Sequence, residues 1–306
     1  MPVLLIATCL LGTLVHAVPP VEGDAVAVAL LDAGDSPRRV LRLAHPPGWD
    51  TAATLRVSPE VETTLGTGAD QELRTEYGPE ISVPLQVAWA SEAGSGRARY
   101  RVRVGRPEVR AVDEEGAETA WRLAEALGAM SGREGVVVLS GTGQLVQGGL
   151  ALGVGASSDL SAWVGAALSS EWFTTPQFPE SPVGPGARWA VARTRGPGGL
   201  AVVAYELVAL HRHHGRVRFQ VHTRRPEGAA APVAEGELRF DLRQPFPSRL
   251  EAVFTSSTEL LTEGPRRLVV TRRARVSLER GGSLASFARE VVAAPWAGEA
   301  GEVRAR

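Results

Sequence analysis

Residues 97–104 read Arg-Ala-Arg-Tyr-Arg-Val-Arg-Val. The period of two is strict. Ala98, Tyr100, Val102 and Val104 fall on one face of an extended chain, and Arg97, Arg99, Arg101 and Arg103 fall on the other. A helix would scatter both sets around its circumference. Such alternation belongs to an antiparallel sheet with one face packed and the other wet. The apolar run Ile81–Ala90 precedes it, and Gly94-Ser-Gly96 supplies the turn between them, so the pair reads as a β-hairpin.

The same reading carries through most of the chain. Thr51–Val57, Glu60–Leu65 and Glu72–Tyr77 are short strands separated by turn residues, and Gly135–Gln147 is a strand, a Gly141-Thr-Gly143 turn and a second strand. Trp189–Arg193, Leu200–His213, Arg216–Arg224, Glu235–Leu242, Ser248–Thr258 and Arg267–Glu279 continue the series. Two stretches change period. In 117–130, Trp121, Ala124, Leu127 and Met130, with Leu123, follow helical spacing. In 158–174, Ser158-Asp159 caps a helix whose apolar stripe is Leu160, Trp163, Val164, Ala167, Leu168 and Trp172. Residues 175–188 then carry prolines at 176, 179, 182 and 185, the three-residue period of polyproline II. This stiff connector marks a seam.

The expected organisation is therefore α+β and β-rich. Residues 1–17 form a signal peptide and 18–37 a linker or loose strand. Residues 38–157 form an N-terminal β-rich half with helix 117–130, and 158–174 form a connecting helix. After the 175–188 seam, 189–294 form a C-terminal β-rich half, and 295–306 a polar tail. An internal echo suggests that the halves are related. Gly96–Pro107 (GRARYRVRVGRP) and Gly215–Pro226 (GRVRFQVHTRRP) match at six of twelve positions, with Tyr100 opposite Phe219. The architecture implied is curled antiparallel sheet, half-barrel-like, each half carrying one packed helix.

Export is read from the N-terminus. Val3–Val15 is apolar but shorter than the roughly 20 residues a membrane helix needs. Val15-x-Ala17 is a small-residue cleavage pattern. No Lys or Arg precedes the run. Cys9, the only cysteine, lies within it, and Ile6-Ala7-Thr8 is a loose lipobox match with too short a leader. Cleavage near Ala17 places the protein in the periplasm or outside the cell, without thiol chemistry. No later stretch reads as a transmembrane segment.

Net charge is −1, which argues against nucleic acid as a partner. All 33 basic residues are arginine, asparagine is absent, and Ile6 and Ile81 are the only isoleucines. High-GC codon usage accounts for that bias, so arginine abundance alone does not signal anion binding. Chemistry-bearing motifs are sparse. The chain contains no G-x-S-x-G, no H-E-x-x-H and no dinucleotide fingerprint, so no catalytic residue and no cofactor is assigned.

Three residue sets remain. His211, His213, His214 and His222 have suggestive spacing. A turn at His214-Gly215 would pair His213 with Arg216 and His211 with Arg218, crowding any dication with positive charge and leaving Glu206 on the opposite face, so no metal site is assigned. The arginine rows Arg97, Arg99, Arg101, Arg103, Arg216 and Arg218 form a candidate anion or partner face, or simply the wet side of a sheet. Trp121, Trp163, Leu168 and Trp172 are the candidate lining of an apolar ligand cleft, or core side chains filling the same space.

The pattern Phe178-Pro-x-x-Pro-Val-Gly-x-Gly-x-x-Trp189 resembles a hinge in a family of secreted bacterial proteins of unknown function. Gly236-Glu-Leu-Arg-Phe-Asp241 matches a second segment of that family, and the resemblance spans residues 38–279. It implies a β-rich cell-envelope protein, distantly similar to the lipoprotein-carrier (LolA-like) half-barrels, and it implies no catalytic residues. The expected function is non-enzymatic: binding of a lipid or other amphiphile, or, as the alternative, contact with another envelope component or a polyanion through the arginine face.

Overall fold

The computed structural model describes residues 26–67, 70–94, 96–149, 176–195, 199–224, 232–261 and 267–281. Fourteen strands in these residues form one antiparallel sheet. From the N-terminal side they are β1 (Val26–Asp32), β2 (Asp50–Thr67), β3 (Asp70–Tyr77), β4 (Glu80–Glu92), β5 (Arg97–Val104), β6 (Glu108–Arg110), β7 (Glu134–Ser140) and β8 (Leu145–Gly149). β9 (Arg188–Arg195), β10 (Gly199–His211), β11 (His214–Arg224), β12 (Pro232–Asp241), β13 (Arg249–Leu261) and β14 (Arg267–Arg280) follow. A helix, α1 (Ala117–Gly128), lies between β6 and β7.

The strand order is β1-β9-β10-β11-β12-β13-β14-β2-β4-β5-β7-β8, with β3 beside β2 and β6 beside β4. The N-terminal and C-terminal strand runs thus share one sheet and meet along the β2–β14 pair and again at β1–β9. The helix expected over 158–174 and the tail 295–306 lie outside the described residues.

The β5 alternation appears as expected: Ala98, Tyr100, Val102 and Val104 are buried, while Arg97, Arg99 and Arg101 are exposed. On β2, β4 and β14 the inward rows are Leu55 and Val57, Ile81 and Val83, and Val276 and Leu278, all buried. These rows join Val217, Leu238 and Phe240 from strands several positions away in a single apolar cluster. The sheet is open-edged and curls around that cluster.

Two non-strand segments occupy the concavity. Residues 38–43 run extended, with Leu41 and Leu43 buried and Val40 and Arg42 exposed. Opposite them lies the seam, where Phe178, Val183 and Ala187 are buried. Arg39 and Val183 exchange backbone hydrogen bonds of 3.0 and 2.9 Å, Gly184 N–H donates to Ala33 O and Asp35 N–H to Pro185 O. Phe178 packs edge-on against Phe240, and Trp189 stacks on Tyr205. The seam is a buried strap across the inside of the sheet.

Two sequence expectations need correction. Residues 51–57 and 60–65 are one 18-residue strand. Ser58-Pro59, between the two expected strands, falls in the gap where the partner on one side changes from β4 (residues 50–57) to β3 (residues 60–67). On that side no ladder bond requires the missing proline N–H. In the β10–β11 hairpin, His211 pairs with His214 and Glu206 with Arg218, so the turn is Arg212-His213. A bulge between Leu207 and Ala209 shifts the register. Glu206 and Arg218 therefore share a face and form a 3.2 Å ion pair.

Candidate functional site

The inner side of the sheet is the concave surface of the described fold, and its chemistry differs from end to end. Near β4, β5 and β7 it is aromatic. Tyr100 is wholly buried and meets Trp49 and Phe246 edge-on, while Trp49 stacks on Phe246. The Tyr100 hydroxyl lies 2.8 Å from His45 Nδ1. Burial holds the His45 pKa below its ordinary value, against a smaller opposing pull from the Ser140 carbonyl. Burial also pushes the Tyr100 phenol well above its ordinary range. Burial thus favours the neutral form of both groups.

The turn between β7 and β8 ties this region to the strap. Leu43 N–H donates to Gly141 O, and Phe178 N–H donates to Thr142 O. Ser140 and Thr142 hydroxyls are 2.9 Å apart. Gln177 is buried, and its backbone oxygen accepts from Trp189 Nε1 at 2.8 Å. Several buried polar atoms of the inner segments find no partner among the described residues: Nε2 of His45, Oε1 of Gln177, and both Nε and Nη2 of Arg39. Most buried polar groups in folded proteins are hydrogen-bonded, so each of these marks a departure.

At the other end, the long strands run past the packed interior. The inward row of β2 passes from buried Val57 to half-buried Val61 and Leu65. On β14 it passes from buried Ala274 to half-buried Arg272 and Val270, and on β13 from buried Ala252 to half-buried Phe254. Register places Val61 opposite Arg272 and Arg272 opposite Ser256. The result is an apolar strip, interrupted by Thr63, Ser256 and Arg272, that the described residues do not fully cover.

The sequence-derived sites are placed as follows. The buried stripe of the α1 region is Ala120, Leu123, Leu127 and Met130, and Trp121 lies off it, 65% exposed. Leu123, Leu127 and Met130 are buried as their spacing predicts, Ala124 is half-buried, and Ala120 takes the place expected for Trp121. Trp163, Leu168 and Trp172 lie outside the described residues.

The arginine rows do point outward, but they are interleaved with acid. Arg216 pairs with Glu237 at 3.6 Å, Arg218 with Glu206, and Arg101 with Glu134 at 3.9 Å, while Arg103 also has a partner. Arg97 and Arg99 are exposed and form no ion pair with the described residues. His211, His213 and His214 cluster at the hairpin tip, where His214 approaches Asp241 at 3.8 Å. No group of three His, Cys, Asp or Glu suited to a metal occurs among the described residues. No described helix is long and apolar enough to cross a membrane.

Sequence reasoning did not find His45, Gln177 or Arg39. A usable signal existed for Arg39: it precedes Leu41 and Leu43 at a spacing of two, so it shares their inward side. The chain matches no protein-family model and no curated protein.

Proposed function

We propose that this is a non-enzymatic binding protein of the bacterial cell envelope, exported to the periplasm or beyond, which holds an apolar or amphiphilic ligand against the inside of its curled sheet. One observation carries the reading: beyond the packed core the inward rows of β2, β13 and β14 keep half-buried apolar side chains at Val61, Leu65, Phe254 and Val270, with Thr63, Ser256 and Arg272 set among them. A strip of this kind, with a few polar groups set into it, is the usual make-up of a small-molecule site. The apolar run Val3–Val15 supports export. The Gly96–Pro107 and Gly215–Pro226 echo supports reading the fold as a half-barrel of two related halves, each served by a helix.

The test is native mass spectrometry of the full chain purified from the periplasm. The reading expects a retained lipid-sized adduct that is lost when Phe254 is changed to Glu. A protein that carries no adduct and does not enhance the fluorescence of an apolar probe would sink it.

A second reading, docking of another envelope component or a polyanion, rests on Arg97 and Arg99, the members of the outward rows with no described ion pair. It expects Arg97→Ala with Arg99→Ala to abolish capture of an acidic partner while leaving lipid retention unchanged.

A further inference from the structure

β3 is bonded on one side alone: among the described residues it pairs with β2 and with no other strand. Its residues from Glu72 to Tyr77 are all exposed. Gly78 N–H donates to Pro59 O at 2.9 Å, and in an antiparallel ladder residues two apart point their backbone groups the same way. Glu72, Arg74 and Glu76 therefore bond toward β2, and Leu73, Thr75 and Tyr77 turn their N–H and C=O groups to the bare edge. The row that carries this free ladder also carries two large apolar side chains in the open, Leu73 at 62% and Tyr77 at 64% exposure. An unpaired edge of this kind is a template for another strand, and proteins guard against that with charge, proline or a bulge. β3 has neither proline nor bulge, and its charges are Asp70, Glu72, Arg74 and Glu76.

The order of those charges suits a second copy of the same strand. Antiparallel pairing centred on Thr75 sets Thr75 against its own copy, Leu73 against Tyr77 and Arg74 against Glu76. Leu73, Thr75 and Tyr77 then meet their opposites as hydrogen-bonded pairs, each exchanging two backbone bonds. On one face Leu73 and Tyr77 cover each other across the junction. On the other, Arg74 and Glu76, already an ion pair 3.0 Å apart within the strand, gain their opposites from the second copy, so the charges alternate in sign. Moving the centre to Arg74 or to Glu76 sets that residue against its own copy, and moving it to Leu73 sets Asp70 against Glu76, each a repulsion. We propose that β3 is a homodimer edge, at which two copies of this chain join their sheets through Leu73–Tyr77 in the register centred on Thr75. A foreign peptide would find the same backbone groups without the matched charges.

The experiment is analytical ultracentrifugation of the full chain across the micromolar range. Wild type is expected to dimerise with a dissociation constant of micromolar order, as weak interfaces below about 1,200 Å² do. Thr75→Pro removes an N–H that faces the bare edge and none that β2 uses, so it is expected to weaken the dimer about tenfold or more. Arg74→Glu and Glu76→Arg each set like charges opposite one another, and each alone is expected to weaken it in the same way. Mixed in equal amounts, these two variants oppose Glu with Arg at both positions, and their heterodimer is expected to return to wild-type strength. A wild type that stays monomeric, or that is isolated with a different polypeptide on β3, overturns the proposal. So does a dimer that Thr75→Pro leaves unchanged, or a mixture that forms no heterodimer. If Thr75→Pro does not fold, the charge mixture decides.

Discussion

The ring of Phe240 lies over Gly215, its cross-strand partner on β11, and fills the space a side chain there would need. Two ranks along, the relation is reversed: Phe219 of β11 faces Gly236 of β12, and its ring covers that glycine. These reciprocal pairs let two aromatic rings lie flat on the inner face of adjacent strands. The glycines are there for the rings, with no turn involved.

Substituting Gly236 by Ala should therefore be severe. A Cβ would press on the Glu251 carbonyl and the Ala252 backbone as well as on Phe219. Backbone cannot yield as a side chain can, so a loss of about 3 kcal/mol is expected, at the upper end of overpacking costs. Gly215→Ala, opposed by ring atoms alone, should cost less. Urea denaturation of both variants checks the order.

Asp241 offers a pH-resolved test. Its carboxylate is 4% exposed and receives Arg243 at 2.7 Å and the Arg243 backbone N–H at 3.0 Å. The Arg243 side-chain bonds hold its pKa below the ordinary 3.8, against the opposing effect of burial. Its contribution is full above pH 3.8 and is lost as pH falls through the lower folded value. Asp241→Asn should cost about 1–3 kcal/mol at neutral pH, with the gap to wild type closing in strong acid. A gap independent of pH would show that packing, and not charge, holds this corner.

His45 has the opposite charge type but the same sign of pH effect. Burial lowers its folded pKa below 6.5. As pH drops from 6.5 toward that lower value, the unfolded chain takes up a proton that the folded one refuses, so stability falls. Wild type should lose more melting temperature between pH 8 and about pH 5 than His45→Gln does. Tyr100→Phe removes the partner of Nδ1 and should cost about 1–2 kcal/mol at pH 7.

Arg212 leads the β10–β11 turn with φ 51°, a left-handed conformation that favours glycine. Arg212→Gly should stabilise the protein by about 0.5–1 kcal/mol, since relief of strain exceeds the entropy added to the unfolded chain. Thermal melts measure this directly, and a loss of stability would argue that the arginine side chain makes a compensating contact.

Strand character was legible wherever one face is packed and the other wet, as on β5, because the alternation then records burial directly. It failed where a residue serves two masters. Gly215 invited placement of the turn at His214-Gly215, whereas it makes room for Phe240. Residues 51–57 and 60–65 read as two strands, whereas Pro59 sits between two partners of one strand. Trp121 looked like the anchor of a helical stripe because it is large, yet smaller Ala120 holds the buried position. For the site, outward arginines were readable from period, but their neutralisation by Glu206 and Glu237 depends on cross-strand register, which the bulge after Leu207 conceals. Arg39 escaped notice because the shielding of its Nε and Nη2 is a property of three-dimensional packing.

The β2–β14 pairing has a consequence for how the chain comes together. Arg273 reaches Glu62 across 211 residues of sequence, at 2.9 Å. A polypeptide emerging N-terminus first must hold an 18-residue strand with one bare edge until β14, which begins at Arg267, has emerged. Loop closure over so long a separation is slow, and an unpaired edge invites wrong partners in the meantime. Assembly of this sheet is therefore expected to be limited by arrival of β14, and to depend on holding factors that shield β2 while it waits.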